Sequence, residues 1–218
     1  MRPVNKSLYT LNQSIYNPYG TAKGDLISAI GNFCSYCERQ GFYSALDVEH
    51  IKHKDSYPLD MFKWDNFLLS CTNCNSCKGT KSVANILLPH RDNTFDIFIY
   101  LESGYIQCNP IITDELKLKA QALINLVRLD RIPNRNGYAG HDTLWQERKK
   151  AWELAQRYLI KYQNNTCDIE TIKDLALKFG FWSIWMRAFE NYPEVQKELI
   201  NSFKGTRKEF FEDIINNS

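Results

Sequence analysis

Cys34-Ser35-Tyr36-Cys37, then Val48-Glu49-His50-Ile51, then Trp64-Asp65-Asn66-Phe67-Leu68-Leu69-Ser70-Cys71-Thr72-Asn73-Cys74-Asn75-Ser76-Cys77-Lys78-Gly79, is the stretch on which the reading of this chain turns. Leu46 to Ile51 alternates apolar and polar side chains, the period of a half-buried strand. Asn66 to Ser70 is short and apolar and reads as a second extended segment, and from Cys74 the chain leads into a helix whose length the pattern leaves open. The local order is strand, loop, extended segment, helix.

Two Cys-x-x-Cys pairs, Cys34 with Cys37 and Cys71 with Cys74, bracket that order and can bring four thiolates around one ion. Tetrahedral thiolate coordination is what a structural zinc takes, and this reading is preferred over incidental cysteines or an iron–sulfur cluster. Cys77 leaves Cys74-x-x-Cys77 as a competing pair, although Cys71 with Cys74 mirrors the first pair better. A closed four-thiolate site has no open position for water, so it braces the fold and hydrolyses nothing. The odd total of 7 cysteines, with Cys108 and Cys167 read as plain buried thiols, favours metal over disulfides and a reducing compartment.

A net charge of +2 is too small to mark a nucleic-acid binder by itself. Locally, Lys52, Lys54, Lys63, Lys78, Lys81 and Arg91 outnumber Asp55, Asp60 and Asp65, a surplus consistent with a phosphate-facing surface or simply a solvated face. Met1 to Ser7 lacks an apolar core and no long apolar run follows, so the expectation is a cytoplasmic location with no membrane span.

Working outward, residues 1–24 read as an irregular N-terminal arm laid over the body, followed by a short helix from Asp25 to Ile30 stopped by Gly31. Thr94 to Cys108 reads as a hairpin turning at Glu102-Ser103-Gly104, the last strand signal in the chain. Helical periodicity starts at Asp114, and Thr143-x-x-Gln146 has the form of a capping box. Further helices are expected over Asp168 to Phe179, Phe181 to Glu190, Pro193 to Phe203 and Thr206 to Ile215. The aromatic group Phe179, Phe181, Trp182 and Trp185 reads as core, with a docking surface as the alternative. The fold class is thus α+β, with an N-terminal arm over 1–24, a zinc-braced ββα unit and hairpin over 25–109, and a helical C-terminal domain over 110–218.

Val48-Glu49-His50-Ile51, Trp64 to Leu69 and Cys71 to Gly79 together resemble the HNH (ββα-metal) endonucleases, in which two strands and a helix clasp one divalent ion. The resemblance implies that His50 takes a proton from the attacking water, and that Glu49 and Asn75 ligate the catalytic ion. It further implies that Asn66 ties down the loop carrying the histidine, and that Lys78 faces the scissile phosphate. Oxygen ligands suit magnesium or manganese better than zinc, so Zn2+ is expected in the knuckle and Mg2+ or Mn2+ in the nuclease site. Asn75 stands where such motifs often carry histidine, Glu49 replaces the commoner aspartate, and His53 occupies a frequent proline position.

The layout of an HNH motif followed by a helical tail is similar to the PtuB-like nuclease subunits of Septu-type anti-phage systems. That likeness implies a DNA or RNA substrate and a partner ATPase of the ABC/SMC-like type, since this chain has no phosphate-binding loop of its own. The competing readings are a zinc-ribbon nucleic-acid-binding module without catalysis and a structural adaptor.

Overall fold

In a computed structural model of the chain, residues 1–11, 13–132 and 142–216 are described. The expected order is present over its first third: α1 (Lys23–Ile30), β1 (Leu46–His50), β2 (Phe67–Cys71) and α2 (Thr72–Lys78). β1 and β2 pair antiparallel with Leu46 opposite Cys71 and His50 opposite Phe67. That register ends β2 on a knuckle cysteine, so the chain passes directly from the sheet into α2 with Cys71 as its N-cap. Gly79, at a φ of 51°, ends α2 in a backbone conformation that a side chain disfavours.

The N-terminal arm is more built in than an irregular overlay. Val4 bridges Thr206, Ile15 bridges Lys63, and the Tyr9 and Tyr16 hydroxyls donate to Asp25 on α1 at 3.0 and 2.6 Å. A 3-10 turn over Tyr19–Ala22 then leads into α1.

The expected hairpin is shorter than its alternation implied. Thr94–Ile97 is a helical turn, α3, and only β3 (Phe98–Tyr100) and β4 (Ile106–Cys108) pair. The Thr94 hydroxyl donates to the Met1 carbonyl, and Phe95 packs edge-on against Trp182 at 5.3 Å, so tertiary contacts set the backbone here. The turn holds Gly104 at a φ of 84° where an added Cβ would lie 2.0 Å from the Trp145 carbonyl oxygen. Only glycine allows the turn to approach that helix so closely.

Beyond it the fold is helical: α4 (Asp114–Val127), α5 (Leu144–Gln163), α6 (Ile169–Phe179), α7 (Trp182–Ala188), α8 (Pro193–Ser202) and α9 (Glu212–Asn216). Thr113 and Asp168 cap α4 and α6 by accepting from the backbone N–H of Leu116 and Thr171. The capping box at Thr143 is not formed. Asp142 instead accepts from the Leu144 N–H at 3.0 Å, and the Thr143 hydroxyl donates to Glu147. The last expected helix is broken into a 3-10 turn, Lys208–Phe210, and α9. Phe211, between them, is buried and packs edge-on against Phe95 and Trp182.

Phe181, Trp182 and Trp185 are buried, and the two indole N–H groups donate to the carbonyls of Leu199 and Gly180. These three rings are core, each worth on the order of 1.5–3 kcal/mol or more of burial, whereas Phe179 is half exposed. Among the described residues the architecture is α+β: two small antiparallel sheets and a mostly helical C-terminal region. No helix among the described residues is long and apolar enough to cross a membrane.

Candidate active site

The knuckle forms because both cysteine pairs sit on sharply turned backbone. Cys34 N–H donates to the Arg39 carbonyl, the Glu38 N–H donates back to Cys34, and Phe33 bridges Gln40. The Ser35 N–H, donating to Leu69 at 2.9 Å, locks this turn onto β2. Cys71 and Cys74 come from the first turn of α2. The four sulfurs of Cys34, Cys37, Cys71 and Cys74 lie within 4.8 Å of one another and all four residues are buried. The Cys37 to Cys71 separation is 3.8 Å, about the sulfur–sulfur edge of a tetrahedron with Zn–S bonds of ~2.3 Å. Burial opposes ionisation of Cys34, yet hydrogen bonding from the other three thiols carries its pKa well below the ordinary value. Donor type, number and spacing therefore fit a zinc ion. Cys77 lies outside the cluster, where the Arg131 guanidinium reaches its sulfur at 3.7 Å.

His50 ends β1 with its ring edge-on to Tyr19 at 4.6 Å and to Phe67 at 5.2 Å. Its Nε2 lies 2.8 Å from the Met61 carbonyl oxygen. A carbonyl only accepts, so Nε2 carries the proton and Nδ1 is the lone-pair nitrogen of the neutral ring. Burial lowers the His50 pKa, with the nearby Lys54, Lys78 and His53 adding to it against the Met61 hydrogen bond. The ring is thereby kept in the neutral form that a base requires.

Asn66 clamps the loop that follows. Its Oδ1 accepts from the Lys52 N–H at 2.8 Å, and its Nδ2 donates to the carbonyls of Lys52 and Asp60 at 2.9 and 3.2 Å. Met61, whose carbonyl holds His50, follows Asp60 directly.

Glu49, one residue before His50, points to the other face of the strand. Its carboxylate takes the Lys78 ammonium at 2.6 Å and the Tyr36 hydroxyl at 2.8 Å, both oxygens thus committed. Burial raises the Glu49 pKa, opposed by Lys78 and Tyr36. Lys78 is 1% exposed and also donates to the His50 carbonyl. Expected to face a phosphate, Lys78 instead lies one turn after Asn75 on α2, buried against β1, with its ammonium on Glu49 and on the His50 carbonyl.

Asn75 is half buried, and its Nδ2 donates to Asp47 Oδ2 at 3.2 Å. Asp47 shares the Glu49 face of β1 by strand alternation, and sequence reasoning gave it no role. The i, i+2 spacing of Asp47 and Glu49 was the available signal. The described contacts thus divide the expected set. Asp47, Glu49, Asn75 and Lys78 meet between β1 and α2, while the His50 ring packs with Tyr19 and Phe67. For a hard cation, the Asp47 carboxylate and the Asn75 amide oxygen are a fitting, partly exposed donor pair, and Glu49 is available only by releasing Lys78 or Tyr36.

Two short strands and a helix around a histidine, an asparagine clamp and a cysteine cluster lie in the stretch that the HNH endonuclease family model matches, residues 34–81. The chain is also similar to the Septu protein PtuB of Bacillus thuringiensis, at 29% identity over 143 residues. That alignment takes in 61% of this chain and 51% of the relative, so the chain spans about half the length of the curated protein it matches.

Proposed function

We propose that this chain is a metal-dependent endonuclease that hydrolyses phosphodiester bonds of DNA or RNA. The observation that carries the reading is the His50 ring held by the Met61 carbonyl with Nδ1 left as the free base. In this scheme Nδ1 removes a proton from the attacking water, and Asn66 fixes the loop that fixes the ring. Asn75 and a carboxylate of the Asp47–Glu49 face would hold a magnesium or manganese ion, which would supply charge stabilisation at the leaving oxygen when bound. Lys78 positions Glu49 and the end of β1 without touching substrate. Lys54 over the Tyr19 ring and Lys52 over the Tyr57 ring place cations and aromatic faces beside His50 and its loop, a combination suited to a nucleic-acid strand.

The likeness to a Septu protein supports a place in an anti-phage defence complex; that a partner ATPase of the ABC/SMC-like type gates cutting is part of the same proposal. A second reading, a catalytically silent zinc module that binds nucleic acid, is favoured by one observation: both Glu49 oxygens are already occupied. Cleavage assays with magnesium or manganese, with and without the partner ATPase, separate the two. Metal-dependent cutting that disappears in His50→Ala supports the nuclease, and absence of cutting under every condition leaves the silent module.

A further inference from the structure

Three lysine–aromatic pairs lie around the strand that ends in His50. Lys54 Nζ sits 5.2 Å from the centre of the Tyr19 ring, which itself packs edge-on against His50. Lys52 Nζ lies 5.4 Å from the centre of the Tyr57 ring, in the loop after β1. Lys23 directly follows the Tyr19–Ala22 turn; its Nζ is 4.8 Å from the centre of the Tyr43 ring and donates to the Tyr43 carbonyl at 3.3 Å, where the chain leads into β1. Lys52 and Lys63 share Asp60, whereas no ion pair occupies Lys23 or Lys54 among the described residues. The outer rings are open to solvent: Tyr43 is 59% exposed, Tyr57 49%, and Phe42 beside Tyr43 77%.

A single exposed ring needs no explanation, but these rings bracket one strand and each of the three pairs joins a cation to an aromatic face. A lysine meets the phosphates of any nucleic acid alike. A ring face offers something only an unpaired base can use, because in a duplex the base faces are taken up by stacking and only their edges stay open in the grooves. The motif helix α2 gives a duplex little to hold: its exposed side chains are the uncharged Thr72, Asn73 and Ser76, and its one lysine, Lys78, is buried. We propose that Tyr19, Tyr43, Tyr57, Lys23, Lys52 and Lys54 form a surface for an unpaired nucleic-acid strand, with bases stacked on the rings and phosphates on the lysines. This names the substrate class of the proposed nuclease site and rests on that reading for placing the scissile bond at His50.

Fluorescence anisotropy of the zinc-loaded full chain, in buffer without magnesium or manganese, tests this against labelled single-stranded DNA, single-stranded RNA and duplex DNA of one sequence. Oligonucleotides of about 20 nucleotides exceed the ~4–16 that a strand-binding site covers. Expected is binding of a single strand, DNA or RNA, tighter than that of the duplex by about 10-fold or more. Tyr43→Ala and Tyr57→Ala should each weaken strand binding by about 5- to 100-fold, the worth of one stacked base. Both rings are exposed, so duplex binding and the unfolding midpoint should stay unchanged in these variants. The proposal is overturned if the duplex binds as tightly as both single strands, if the two substitutions leave strand affinity unchanged, or if no nucleic acid binds. The nuclease reading fails on a different result: a chain that holds a strand through these rings yet cuts nothing under any condition keeps the surface and loses the activity. Metal-dependent cutting of duplex and strand with no preference in binding does the reverse.

Discussion

At His50 the chemistry turns on which ring nitrogen is occupied. The Nε2 bond to Met61 leaves Nδ1 as the lone-pair nitrogen, and on the proposed reading, in which Nδ1 is the base, His50→Ala should cut cleavage by roughly 10²- to 10⁴-fold while the protein stays folded. Cleavage at the wild-type rate in that variant would remove His50 from the mechanism. At the Glu49–Lys78 pair, Lys78→Met leaves a buried carboxylate without its cation and should cost about 3–5 kcal/mol in urea unfolding. A loss below about 1 kcal/mol would mean that solvent reaches Glu49. His90 makes the third case. Burial first, then the charges of Lys6 and Arg91, push its pKa down from 6.5 to about 4. Between those values the unfolded chain binds more protons than the folded one, so stability rises with pH across the window and is lost as pH falls through it. The wild-type chain should lose about 2–3 kcal/mol more than His90→Gln between pH 7 and 4, read as the difference of two urea series.

Among the elements, α2 and the two-stranded sheet are too small to persist alone, since a helix of seven residues and an isolated hairpin are each marginal in water. The knuckle supplies what they lack by joining the turn after α1 to the β2–α2 junction. Cys74→Ser, or a strong chelator on the wild-type chain, should release zinc and disorder this unit, seen as loss of bound metal with loss of the near-ultraviolet signal. An unchanged unfolding midpoint in the metal-free chain would show that the packed core suffices. This element was the most legible part of the sequence, because Cys-x-x-Cys spacing and strand alternation are local. The turn at Thr94–Ile97 was not, since its alternation of Phe95 and Ile97 fits a strand equally well until Met1 and Trp182 are packed against it.

Across the whole molecule, Glu38 ties distant segments together. Its carboxylate receives the Ser183 hydroxyl at 2.6 Å and the Arg2 backbone N–H, and its carbonyl receives the Phe181 N–H at 2.9 Å. The Arg2 guanidinium in turn reaches the carbonyls of Ile30 and Lys204. Glu38→Ala should therefore cost about 1–3 kcal/mol by stranding buried donors from both ends of the chain. Equal stability by denaturant titration would mean that water replaces the carboxylate. The motif spacing pointed to the four clustered cysteines, and periodicity placed most of the helices, because spacing and period are properties of neighbouring residues. Tertiary structure decided the rest: the free nitrogen of His50, the burial of Lys78, the meeting of Asp47 with Asn75, and the pairing of Lys54 with Tyr19 and of Lys23 with Tyr43. Each depends on which remote segment packs against a side chain, and the sequence around that side chain does not carry this information.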